Sequence, residues 1–153
     1  MIQKLKTLNL CLLQIIGCIF VLSSIFKWIG LRTFAITVDD FCAFLGYVPL
    51  YGYGMLLAVV ICTAETVLGI SAFIPYLRKY VAWAYLLTIG YFTYVTYLNF
   101  YSLYGQIESC GCFGEVIHLT PAESFYKNVV LLSMIVTTCL FSLLERIVHS
   151  TDR

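Results

Sequence analysis

Residues 7–26, TLNLCLLQIIGCIFVLSSIF, hold twenty consecutive side chains without a charge, bounded by Lys6 and Lys27. A run of about 20 apolar residues is what a helix needs to cross a bilayer. This stretch decides the fold, because the rest of the chain repeats it. A second run begins near Tyr53 and reaches Arg78 with one charge, Glu65. A third, YVAWAYLLTIGYFTYVTYLNFYSLYGQI (80–107), lies between Lys79 and Glu108. A fourth runs from Asn128 to Leu144. It is extended backward by LTPAESFYKN (119–128), in which Thr120 reads as an N-cap, Pro121 as the first helical residue and Glu123 as the capping-box acid. The expected helices cover about 7–29, 53–77, 80–104 and 121–147, with connecting loops 30–52 and 105–120, in one domain spanning residues 1–153.

Composition agrees. Of 153 residues, 61% are apolar and 11% charged, and the mean hydropathy is +0.94. Soluble domains run near half apolar and a quarter charged, so too little polar surface exists here to cover a water-facing fold. The reading is an all-α, polytopic membrane protein: a bundle of four transmembrane helices. The net charge of +1 gives no basic field for nucleic acid. Twelve Tyr and eleven Phe suit membrane interfaces and packed aromatic contacts. The first segment resembles a secretory signal in its basic start. Its apolar stretch is too long, and Lys27-Trp28 is a poor cleavage site, so it is read as retained.

Lys and Arg in short loops set the expected orientation. Lys4, Lys6, Arg78, Lys79, Arg146 and Arg153 fall on one side, and Lys27, Arg32 and Lys127 on the other. Both termini are therefore expected in the cytoplasm, with the two longer loops outside. In the first outer loop a short surface helix is expected, with Thr37 as its cap, Asp39 and Asp40 in its first turn, Gly46 at its end, and Phe41, Phe44 and Leu45 as its apolar face.

The second outer loop carries ESCGCFGEV (108–116), with Cys110 and Cys112 one glycine apart. Disulfides form and persist outside the cytoplasm. A bond between residues two apart closes a small, strained ring, which is easily reduced and gives little entropic stabilisation. Gly111 widens the backbone angles that closure needs. The spacing thus favours a redox couple over a staple. Other readings stay open: unpaired structural thiols, a disulfide from Cys42 to one member of the pair, or zinc held by Cys110, Cys112, His118 and Cys42. Cys42 is also a candidate resolving thiol. Glu108, Glu115 and Glu123 oppose thiolate formation, so a positive neighbour is required; Lys127, Lys27, His118 and the start of the last helix are candidates.

Glu65 lies in the middle of the second helix, where an ionised carboxylate is costly unless paired or facing a polar cavity. It is a candidate proton acceptor, or a polar clip to a Tyr or to Asn99. Cys62 shares its face. Lys27 and Arg32 are expected to snorkel to the surface; a Lys27–Glu65 pair arises only if Lys27 turns inward. Tyr91, Tyr94, Tyr97 and Tyr101 recur at helical spacing, as interhelical packing or as the lining of a quinone or haem pocket, haem being disfavoured because no pair of histidines lies within the helices.

SSIFKWIGL (23–31), ETVLG (65–69) and CGCFGEVIHLTPAESFYKN (110–128) together resemble the MauE/DoxX-like redox-associated membrane proteins, over nearly the whole chain. Where members often carry a proline just before the glutamate, ICTAETVLG (61–69) has Cys62. The resemblance implies a DoxX-type four-helix bundle in a bacterial inner membrane, with the CGC loop on the extracytoplasmic side. It implies a role in disulfide or electron handling, as in methylamine utilisation, where MauE assists maturation of a disulfide-rich dehydrogenase subunit beside a thioredoxin-like partner. Cys110 and Cys112 would be the redox pair, with Glu65 and Lys27 as polar positions of the family pattern. The expected function is thiol–disulfide exchange or electron transfer with a thioredoxin-like protein or disulfide-containing client, a quinone being a candidate electron partner. The alternative is a non-catalytic membrane subunit or assembly factor whose CGCFG loop docks a partner.

Overall fold

The computed structural model describes residues 2–101 and 120–151. It contains helices α1 (Ile2–Ile29), α2 (Leu31–Phe44), α3 (Gly54–Ser71), α4 (Arg78–Phe100) and α5 (Pro121–Thr151), with a 3-10 turn at Val48–Leu50 between α2 and α3. Among the described residues there is no strand. Among the described residues four helices are long and apolar enough to cross a membrane: Thr7–Ile29 of α1, Gly54–Ser71 of α3, Tyr80–Phe100 of α4 and Pro121–Leu144 of α5. The chain is an all-α membrane bundle. Its outer faces carry large exposed apolar side chains, Leu87 at 74% exposure among them, as a lipid-facing surface requires.

α1 packs on α3 and α5, and α4 packs on α5. The α1–α3 contact is built on small residues. A Cβ added at Gly17 would lie 2.7 Å from the Cβ of Ala72, and one at Gly69 2.6 Å from a methyl of Val21. Small residues let two backbones approach where lipid supplies no hydrophobic drive. The core alongside joins Leu13, Ile16, Phe20, Tyr85, Ile89 and Ile135. Phe20 and Tyr85 meet edge to face at 4.6 Å between ring centres, and the Tyr85 hydroxyl donates to the Leu68 carbonyl at 2.8 Å.

Several boundaries differ from the sequence expectation. α3 stops at Ser71 rather than 77, because Pro75 lacks an amide hydrogen and disfavours helix in the residue before it. α4 starts at Arg78 and its described part ends at Phe100; residues 102–104 lie outside the described residues. α5 continues to Thr151. Its start is as expected: the Thr120 amide donates to Glu123 at 2.8 Å and the Glu123 amide to the Thr120 hydroxyl at 3.3 Å, a reciprocal capping box.

The larger correction concerns α2. It begins at Leu31, straight after α1, so Thr37 is no cap but an interior residue whose hydroxyl donates to the Thr33 carbonyl at 3.1 Å. Its buried face is Phe34, Ala35, Thr37, Val38 and Cys42, rotated from the Phe41–Phe44–Leu45 face expected. Gly46, at φ +75°, does end the helix region, in the left-handed conformation that glycine takes without cost. Asp39 serves another helix. Its Oδ1 accepts from the amides of Gly52 and Gly54, both at 2.9 Å, and so caps α3 from a distance. A Cβ at Gly54 would overlap the Ala35 carbonyl oxygen and the Asp39 carboxylate, so only glycine fits there.

Candidate functional site

The close α1–α3 contact continues upward into polar chemistry. Ser24 Oγ lies 2.9 Å from the Cys62 carbonyl oxygen and 2.5 Å from Thr66 Oγ1, whose hydroxyl donates to the same carbonyl at 2.8 Å. One turn further, the Lys27 ammonium donates to both oxygens of Glu65, at 2.5 and 2.7 Å. The two side chains are 4% and 6% exposed. Lys27 therefore does not snorkel: it points into the bundle, because Glu65 offers an opposite charge where lipid offers none. Its ammonium also lies 5.1 Å from the Phe34 ring centre and 5.5 Å from that of Phe92, within cation–π range. Residues of α1, α2, α3 and α4 thus surround one buried ion pair.

α5 contributes through Asn128, whose Nδ2 donates to Thr96 Oγ1 at 3.2 Å and to the Phe92 carbonyl at 3.4 Å. A crevice of about 40 Å³ runs between the ion pair, Asn128 and Lys127. That volume holds a water molecule or two.

Beside the pair, a larger cavity of about 320 Å³ opens between α2, α3 and α4. Lys27 and Thr96 are polar groups at its wall; Phe34, Val38, Phe41, Leu57, Ile61 and Phe92 make most of the rest. Cys42, Tyr91, Thr37 and Tyr47 add further polar atoms, and Leu45, Leu50 and Val95 close the apolar wall. This is the usual make-up of a small-molecule site, mostly apolar with a few polar groups. Burial pushes the Cys42 thiol above its ordinary pKa, and the negative charge of Asp39 adds to the shift.

The sequence candidates separate accordingly. Glu65 is buried and ion-paired, and Cys62 lies on the same inward face. Cys42 is buried on the cavity wall. Cys42 and Cys62 share one apolar cluster, and neither forms a disulfide. Cys110, Cys112 and His118 lie outside the described residues. The tyrosine stripe is half exposed, with Tyr91, Tyr94, Tyr97 and Tyr101 between 46% and 60%. Tyr91 borders the cavity and Tyr97 meets Phe125 of α5 at 5.9 Å; the other two face outward, so the stripe as a whole neither packs between helices nor lines a pocket. Among the described residues no three His, Cys, Asp or Glu side chains gather as a metal site needs.

Sequence reasoning left out the cavity, and for Lys27 it expected snorkelling, with the inward turn as the condition for a Glu65 pair. A signal for Lys27 was present: Ser24 and Lys27 are three apart and share a helix face, which marks a polar stripe on α1. No local signal marks the cavity, because α2, α3 and α4 build it together.

A 58-residue stretch of the chain is 38% identical to Protein TlpB of Flavobacterium psychrophilum; it covers 38% of this chain and 14% of that protein's length. No solved structure matches the chain. The family model for methylamine utilisation protein MauE matches residues 5–141, the whole bundle from α1 into α5, and the chain is therefore a multi-pass membrane protein that belongs to the MauE family.

Proposed function

We propose that this protein is a thiol–disulfide protein of the bacterial inner membrane, in which Cys110 and Cys112 cycle between dithiol and disulfide. They exchange with a thioredoxin-like extracytoplasmic protein or a disulfide-containing client. Both termini lie in the cytoplasm and the CGC segment outside, following the Lys and Arg count of the loops. Glu65 is the proton acceptor in this reading, and Cys42 the resolving thiol.

One observation carries the proposal. α4 ends at Phe100 and α5 begins at Pro121, and these ends are clamped together: Phe100 stacks on Phe125 at 5.7 Å with ring planes 8° apart. Cys42 of α2 shares a cavity wall with Val95 and Thr96, in the last two turns of α4 before Phe100. Exchange through a mixed disulfide uses a close thiol pair, and a third thiol can resolve it. Membership of the MauE family supports the same reading.

The test is to express Cys110→Ala and Cys112→Ala separately in cells and trap mixed disulfides by acid quench and alkylation. At least one variant is expected to accumulate a covalent adduct with a partner that reductant releases. If neither does and both keep full function, the exchange reading is wrong. A pair that stays oxidised in the wild type against mild reductant points instead to a non-catalytic subunit with a fixed docking loop.

A further inference from the structure

We propose that the 320 Å³ cavity between α2, α3 and α4 binds a quinone ring, which is the electron acceptor for the dithiol. The inference rests on the thiol–disulfide reading above and names its other substrate.

Three features select the ligand. First, the walls are mostly apolar and rich in aromatic residues, Phe34, Phe41, Tyr91 and Phe92 among them. They suit a planar ring. Second, the cation at the wall is already neutralised. An ammonium has three N–H donors, and Lys27 commits two to Glu65. A neutral acceptor such as a carbonyl oxygen suits the third, whereas a fatty-acid carboxylate would meet the Glu65 charge. The same ammonium is favourably placed for the negative charge that grows on that oxygen during reduction. Third, Tyr91 lines the cavity while being 51% exposed on the outer face of α4. The cavity therefore reaches a lipid-facing surface, where a prenyl tail can lie.

Cys42 puts a thiol on the wall of the same space. The step balances as follows. Cys42 and one member of the 110/112 pair each lose an S–H bond and form one S–S bond. The quinone takes the two electrons and two protons, and its two C=O oxygens become O–H. The second member of the pair then attacks the mixed disulfide, releasing Cys42 as a thiol and leaving the Cys110–Cys112 disulfide.

The experiment uses the full chain in phospholipid nanodiscs with a short-tailed azido-ubiquinone as photoprobe. Saturable labelling is expected on peptides holding Phe41–Leu45 or Tyr91–Thr96. Unlabelled decylubiquinone should compete and palmitate should not. Val38→Trp, which fills the cavity, should weaken labelling about tenfold, and Ile61→Phe gives the same reading from the α3 wall if the first variant does not fold. Labelling at other sites, labelling unchanged in both filled variants, or equal competition by palmitate would overturn the site. Exchange of Cys110 and Cys112 with a small aromatic disulfide is measured on the same samples. Normal exchange without saturable labelling removes the quinone and leaves the thiol reading standing. Saturable labelling in a protein whose pair never exchanges keeps the ligand site and removes the electron path.

Discussion

At Gly17, α1 meets α3 through glycine and alanine, and one added carbon would sit 2.7 Å from the Cβ of Ala72. Ten residues further along α1, the same two helices hold an ammonium and a carboxylate, with a cavity of about 320 Å³ next to them. Lipid tails are as apolar as leucine, so the lower contact gains from close van der Waals packing. The upper contact gains from charge in a medium that cannot screen it. The difference teaches a division of labour. The tight half sets the spacing of α1 and α3, and along the same contact the upper half holds the ion pair at the edge of the cavity that α2, α3 and α4 line.

The largest expected effect breaks the upper half. Glu65→Ala or Lys27→Ala leaves one charge buried alone and should cost about 3–5 kcal/mol, read as loss of folded protein in a detergent-denaturation titration. The double change Lys27→Met with Glu65→Leu should recover most of it. If the single and double variants lose equally, the pair is not what holds this end together. Gly17→Val tests the lower half. Overpacking typically costs about 1–3 kcal/mol, and the loss should appear in the same titration. A neutral result would mean that α1 and α3 have room to part.

A smaller effect is expected where α2 caps the start of α3. Asp39→Ala removes the acceptor shared by Gly52 and Gly54, and loss of a cap costs about 0.5–2 kcal/mol. Amide hydrogen exchange at residues 52–57 should rise, while the Gly17 region stays unchanged. The smallest effect is chemical. Because burial and Asp39 hold the Cys42 thiol above its ordinary pKa, its alkylation at neutral pH should be slower than that of a free cysteine and should rise with pH. Asp39→Asn removes the lesser cause, so the rate at a given pH should increase modestly. The sign for stability follows: a raised thiol pKa favours the neutral folded form, so this contribution is complete below the ordinary thiol value and falls as pH rises through the folded one.

The spans of the bundle were legible in the sequence, though the glycine contact between α1 and α3 was not. Uncharged runs bounded by Lys6 and Lys27, or by Lys79 and Glu108, specify spans by length alone, and Thr120-Pro121-Ala122-Glu123 specifies a helix start by local hydrogen bonding. Glu65 announced itself as a charge in an apolar run. Its partner did not, because whether a lysine at a helix end turns outward or inward depends on what the neighbouring helix offers. The start of α2 was hidden for a different reason. Thr37-Val38-Asp39-Asp40 has the composition of a helix start, but Asp39 spends its carboxylate on the amides before α3, thirteen and fifteen residues away. The cavity, formed by three helices, leaves no trace in any one of them.

The ion pair also bears on how the chain is made. Lys27 leaves the ribosome 38 residues ahead of Glu65. While it waits, it lies at the end of α1, near enough to the headgroups for its long side chain to stay hydrated. Glu65 has no such refuge, because it enters in the middle of α3. The glycine contact at Gly17 and Gly69 brings α3 against α1 in the register that presents the waiting ammonium. The charge of Glu65 is thus met only where α3 packs on α1, and the first span carries the partner that the second one needs.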